Sequence, residues 1–239
     1  FALEQPSFEA VPMIRAFNAD AAAIFGQKYV SPRPEGVNLS IGSDGYSPWT
    51  FNFWKNPLPD IRFESPLKTV RSKNGVPFLL GGADSNIAFT SRWDNWPDRI
   101  QTPVGRCADA VWCLVCGTTN PMQCGIANAA LHFRYADGVC ETLELVPPEN
   151  FWNMFAYTCA PTSSEQTTCN DYDYQNAGFC LPETPPDTIQ LGQNCRAVAL
   201  GFRLRPGVSL ESVELECLSN EVVIGLMAVT LGREAGKGE

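Results

Sequence analysis

The stretch Leu131-His132-Phe133-Arg134-Tyr135-Ala136-Asp137-Gly138-Val139-Cys140-Glu141-Thr142-Leu143-Glu144-Leu145 decides the fold. Leu131, Phe133 and Tyr135 alternate with His132 and Arg134, and after Asp137-Gly138 the alternation resumes with Leu143 and Leu145 around Glu144. Side chains two apart share a face of a strand, so each arm reads as a strand with one apolar and one polar side. Asp-Gly between two alternating runs is a turn signal with a mechanism, because both residues tolerate a left-handed backbone. The segment predicts an antiparallel hairpin.

The same test, carried outward, predicts strands over 37–41, 49–54, 76–80, 86–91, 109–116, 128–136, 139–146, 195–205, 211–218 and 222–231. Arg205-Pro206-Gly207 lies between an apolar strand and the alternating Val213, Leu215 and Cys217, which predicts a second antiparallel pair. Residues 11–27 are Ala-rich, with Ile14, Phe17, Ala21, Ile24 and Phe25 at near-helical spacing and Asn18 placed to cap the second half. One or two short N-terminal helices are expected there, ended by Ser31-Pro32-Arg33-Pro34. Residues 147–193 are rich in Pro, Thr, Asn and Asp and too long for an ordinary connection, so a functional or stapled segment is expected. No repeat or low-complexity linker divides the chain, and one all-β antiparallel sandwich over 1–239 is the expected architecture.

Apolar residues make up 44% of the 239 and charged residues 18%, enough for a core and too little charge for a disordered polymer. A net charge of -9 and no Lys/Arg cluster argue against a nucleic-acid partner. The longest apolar run, 222–231, is about half the length that an α-helix needs to span a bilayer. Because the chain opens on Phe1, either an export signal has been removed or it is a piece of something longer. Ten cysteines point to an oxidising, secreted or periplasmic setting with several disulfides. Cys113 and Cys116 form a CxxC, but on a strand residues three apart face opposite sides and cannot share one zinc. Cys159, Cys169 and Cys180 suit a loop disulfide. Asn170-Asp171-Tyr172-Asp173 with Asn176 clusters oxygens of the kind a structural calcium takes, without the spacing or the Gly of an EF-hand loop; no other cofactor is expected.

The tryptophans carry the functional reading. Trp49 bounds a short aromatic strand, Trp93 and Trp96 sit in Arg92-Trp93-Asp94-Asn95-Trp96-Pro97 just past a strand end, and Trp152 follows a Pro-rich turn. Sugar rings present apolar C–H faces and equatorial hydroxyls, so their receptors combine flat aromatic faces with short polar side chains. Trp93 and Trp96 with Arg92, Asp94 and Asn95, joined by Trp49 and Trp152, are the expected carbohydrate-binding residues, set against burial of each indole as a sheet anchor. Catalytic residues are not expected. The single histidine, His132, lies mid-strand, and no nucleophile elbow, zincin or phosphate-loop motif occurs. A pair of Asp/Glu for glycoside cleavage stays open, since a sequence does not reveal their separation.

Several blocks resemble a family of bacterial domains found in large secreted or periplasmic glycoside-hydrolase-like proteins. They include Tyr29-Val30-Ser31-Pro32-Arg33, Gly75-Val76-Pro77-Phe78, Ala88-Phe89-Thr90-Ser91-Arg92-Trp93-Asp94-Asn95-Trp96-Pro97, Gly117-Thr118-Thr119-Asn120-Pro121-Met122-Gln123, Pro148-Glu149-Asn150-Phe151-Trp152 and Asn220-Glu221-Val222-Val223-Ile224-Gly225-Leu226-Met227. The resemblance implies a jelly-roll, galactose-binding-like module beside a catalytic domain and carries over no site residues, while its cysteines are more numerous than such relatives imply. The expected function is non-catalytic polysaccharide or oligosaccharide binding. Its alternatives are a glycoside hydrolase or polysaccharide lyase built on carboxylates, and a structural domain packing on a partner.

Overall fold

The computed structural model describes residues 3–24, 68–82, 85–119, 123–152, 187–192, 195–220 and 222–235. Among them the chain forms β1 (Ser7–Val11), α1 (Ala21–Ile24), β2 (Thr69–Arg71), β3 (Pro77–Leu79), β4 (Ala88–Ser91), β5 (Arg99–Arg106) and β6 (Ala110–Gly117). There follow β7 (Ala129–Tyr135), β8 (Cys140–Leu145), β9 (Asp187–Gly192), β10 (Cys195–Arg203), β11 (Leu210–Cys217) and β12 (Val223–Arg233). One sheet runs β1-β12-β6-β10-β9 with β4 also paired to β12, a second runs β5-β11-β7-β8, and β2-β3 pair alone. Every pairing is antiparallel, giving the curled all-β sandwich that the alternation implied.

The diagnostic hairpin is β7–β8, its last strand pair Arg134 with Cys140. Gly138 (φ 84) donates its N–H to the Tyr135 carbonyl, and Tyr135 donates to the Val139 carbonyl, so the turn closes in the left-handed geometry that favours glycine. Leu131, Phe133 and Tyr135 point into the space between the two sheets, where Phe133 stacks on Phe202 of β10 with ring centroids 4.3 Å apart. Each such side chain, fully withdrawn from water, contributes about 1.5–3 kcal/mol.

β6 is buried on both faces. Val111, Cys113 and Val115 enter the inter-sheet core, while Trp112, Leu114 and Cys116 enter a second apolar layer on the outer side of the six-stranded sheet. Ala21 and Ile24 of α1, Phe78 of β3 and Phe89 of β4 belong to that outer layer. The four-stranded sheet differs: its outer face carries Arg99, His132, Arg134, Glu214 and Glu216, each bonded to a neighbour.

Eight of the ten expected strands appear, and those over 37–41 and 49–54 lie outside the described residues. Three expectations are corrected. Of the one or two short helices expected within 11–27, one is present: among the described residues Ala21–Ile24 is helical, while Val11 ends a strand paired to β12 and Ala19 bridges Ile87. The supposed apolar stripe is split, with Ile14 77% exposed and Ile24 buried. Asn18 is not the cap; its amide exchanges two hydrogen bonds with the Phe89 backbone, and Asp20 caps the helix through the N–H of Ala22. Arg205-Pro206-Gly207 joins no hairpin, because β10 belongs to one sheet and β11 to the other; the turn carries the chain across the sandwich. Finally, Cys107, Cys113, Cys116, Cys124, Cys140 and Cys217 are free thiols, so there is no disulfide among them. The two faces of β6 separate Cys113 from Cys116, as strand geometry requires. Cys159, Cys169, Cys180 and the 170–176 oxygen cluster lie outside the described residues, as does the Cys195 side chain.

Candidate functional site

The Arg92–Pro97 loop is a tight turn. Trp96 donates its N–H to the Trp93 carbonyl at 3.0 Å, and the central residues Asp94 (φ 50) and Asn95 (φ 59) are both left-handed. Asp and Asn take that conformation at lower cost than most residues, which accounts for their presence here without a ligand. The turn drives Trp93 inward: it is 3% exposed, and its indole N–H donates to the Asn220 carbonyl. Trp96 is half-buried, meeting the Phe89 ring edge-on at 4.9 Å. Arg92, Asp94 and Asn95 are exposed, and the Arg92 guanidinium donates to the Leu218 carbonyl at 3.0 Å. Trp152 is buried, and Trp49 lies outside the described residues. Trp93 and Trp96 therefore do not form a side-by-side aromatic platform, because the turn that brings them together spends one indole on the core.

His132 lies on the outer face of the four-stranded sheet, as its place in the alternation required. Its Nδ1 is 2.9 Å from the Thr142 hydroxyl and its Nε2 2.8 Å from the Glu216 carboxylate, which also accepts from Arg99. Glu214 accepts from Arg134 at 3.0 Å. These carboxylates are shared with cations in a cross-strand ladder, an arrangement that fixes the sheet surface.

The recess with the composition of a binding site lies on the opposite side of the sandwich. Among the described residues a cleft of about 640 Å³ lies over the six-stranded sheet, lined in part by Leu3, Phe8, Asn74, Asp187 and Trp112, the last only 8% exposed. Such a volume falls within the roughly 300–1,000 Å³ of small-molecule sites. Small residues create it. Gly201 and Ala199 of β10 form part of the lining, and Gly201, which pairs directly with Trp112, sends no side chain into the space on that side of the indole. On the other side the indole lies over Gly232, where a Cβ would fall inside the ring's van der Waals envelope. Phe8 packs edge-on against Trp112 with centroids 5.5 Å apart and an interplanar angle of 73°. Asp187, at the start of β9, accepts the Asn74 backbone N–H at 3.4 Å, tying the β2–β3 turn to the cleft rim.

Sequence reasoning passed over Trp112 because it sits inside the apolar run 111–116 and reads as core. The signal that could have found it was the combination of a tryptophan on a two-sided buried strand with Ala199 and Gly201 alternating as small residues on the directly paired strand. No family model, curated protein or solved structure matches this chain.

Proposed function

We propose that this chain is a non-catalytic carbohydrate-binding domain whose ligand occupies the Trp112 cleft. The observation that carries the reading is the composition of that recess: aromatic and aliphatic lining from Trp112, Phe8 and Leu3 together with polar Asn74 and Asp187. A sugar ring needs both, an apolar face to cover its C–H bonds and in-plane acceptors and donors for its hydroxyls. The proposed site thus moves from the Trp93–Trp96 turn to the outer sheet face. A jelly-roll module serving a neighbouring glycan-degrading domain remains the proposal for its context, drawn from the resemblance of the sequence blocks. A secreted or periplasmic setting is part of the same proposal and rests on that resemblance, and the binding proposal stands without it.

Binding in the micromolar to millimolar range, about -8 to -4 kcal/mol, is expected. Calorimetric titration against a panel of soluble oligosaccharides, with pull-down on insoluble polysaccharides, tests the proposal. Saturable binding that is lost in Ala199→Leu, which grows a side chain from the cleft lining, is expected. No binding to any glycan overturns it. The burial of Trp93 and Trp152, which Trp112 at 8% exposed shares, favours a second reading, a structural domain that packs on a partner, and under that reading the wild-type chain binds no sugar.

A further inference from the structure

Resting on the carbohydrate reading, we infer that the cleft selects its ligand by charge and takes an amine-bearing saccharide, a glycan of hexosamine type with free ammonium groups, in preference to a uronic-acid glycan. Asp187 is the only ionisable side chain among the described residues lining the cleft. The remaining lining is apolar or, at Asn74, an uncharged amide. An anionic sugar entering here meets a carboxylate with no cation in the lining to offset it, whereas an ammonium meets a charged acceptor. The overall charge of -9 acts in the same direction at longer range. Asp187 is half-buried and anchored by the Asn74 N–H, so its carboxylate is held at the rim rather than free to swing into solvent. A unit charge pair at about 4 Å in a water-exposed setting changes affinity about fivefold, and more where water is partly excluded.

The test compares three oligosaccharides of equal length by calorimetry on the whole chain: a glucosamine oligomer, its N-acetylated neutral counterpart and an oligogalacturonate. At low salt the expected order is glucosamine tightest, by about five- to tenfold over the neutral oligomer, with the uronate weakest. In 1 M salt, where the screening length falls to about 3 Å, the order should collapse toward equality. Asp187→Asn, which keeps an acceptor oxygen and removes the charge, should bring the glucosamine-to-neutral ratio close to one. The salt series on the unaltered chain makes the same measurement should that variant fail to fold. Binding of all three without charge order, or with the uronate tightest, overturns the charge selection and leaves the carbohydrate reading intact. Binding of none overturns both.

Discussion

Replacing Gly232 by alanine tests the packing that creates the cleft. Gly232 sits in β12 between Phe8 of β1 and Ala110 of β6, and a Cβ placed there would overlap Trp112 Cζ3 and lie 3.0 Å from both Trp112 Cη2 and Leu3 Cδ1. The leucine methyl is the end of a flexible side chain and can give way. The indole is rigid, and it must tilt toward the open side over Gly201. Forcing one methyl group into such a contact costs about 1–3 kcal/mol, and against this stands about 0.4–1 kcal/mol gained by restricting the unfolded chain. For a chain of this size each kcal/mol moves Tm by about 2–4 °C, so a modest fall is expected in a thermal melt. The decisive measurement is a double-mutant cycle with Trp112→Phe, which removes the ring atoms that the new methyl group meets. The unfolded-state gain is common to both backgrounds and cancels, leaving a coupling of about 1 kcal/mol or more between the two sites. Urea midpoints with unchanged slopes would supply it. Additivity within about 0.5 kcal/mol would refute the claim that the indole rests on Gly232.

Three further outcomes follow from particular contacts. Asn86 is fully buried, accepts the Ala21 N–H at 2.8 Å and donates to Asp20 and to the Gly82 carbonyl; Asn86→Ala should therefore cost about 1–3 kcal/mol in urea unfolding, and an unchanged midpoint would contradict the assigned bonds. In the folded chain Cys107 and Cys140 are exposed, whereas burial pushes the Cys217 thiol up to about 12 and holds that of Cys113 far above its usual range. A thiol reagent should label the exposed pair quickly and Cys113 and Cys217 only at the rate of unfolding, and equal rates would contradict the fold. Burial, and then its hydrogen bond to Glu141, pushes the Tyr135 hydroxyl up to about 12. The folded state thus holds this proton longer than the unfolded chain, so its contribution is complete below about pH 10 and is lost as pH rises toward 12. Tyr135→Phe should flatten that alkaline loss of stability, measured by urea titration at a series of pH values.

The parts of the fold that were legible in the sequence are those where side-chain alternation and backbone turn chemistry agree. Around Asp137-Gly138 both signals coincide, and the expected antiparallel hairpin forms. Where one signal is missing the reading failed. β5 alternates Ile100, Thr102 and Val104 against Arg99, Gln101 and Pro103, yet its proline and single large apolar residue hide a strand that pairs along one side only, with β11. At 11–20 the helical spacing was outweighed by long-range pairing: a short helix is costly to nucleate, whereas strand pairing to β12 and the Asn18 bridge to Phe89 satisfy backbone groups at once. The Arg205-Pro206-Gly207 turn was recognised, but a turn signal does not say which sheet the next strand joins.

The candidate site was less legible for a related reason. Sequence patterning marks residues near turns as accessible and residues in apolar runs as core, and on that rule Trp93 and Trp96 outrank Trp112. The rule holds for the four-stranded sheet, whose outer face is polar. It fails on the six-stranded sheet, because a strand buried on both faces requires a second layer, and a second layer over a twisted sheet meets it unevenly. Where the sheet presents large side chains the layers close, as around Phe78 and Phe89. Where it presents Ala199 and Gly201 beside Trp112, the described residues leave a recess. An apolar run such as 111–116, unrelieved by polar alternation, therefore indicates two cores. A binding recess is then to be sought where small residues line up across strands in the outer core, before any exposed loop is considered.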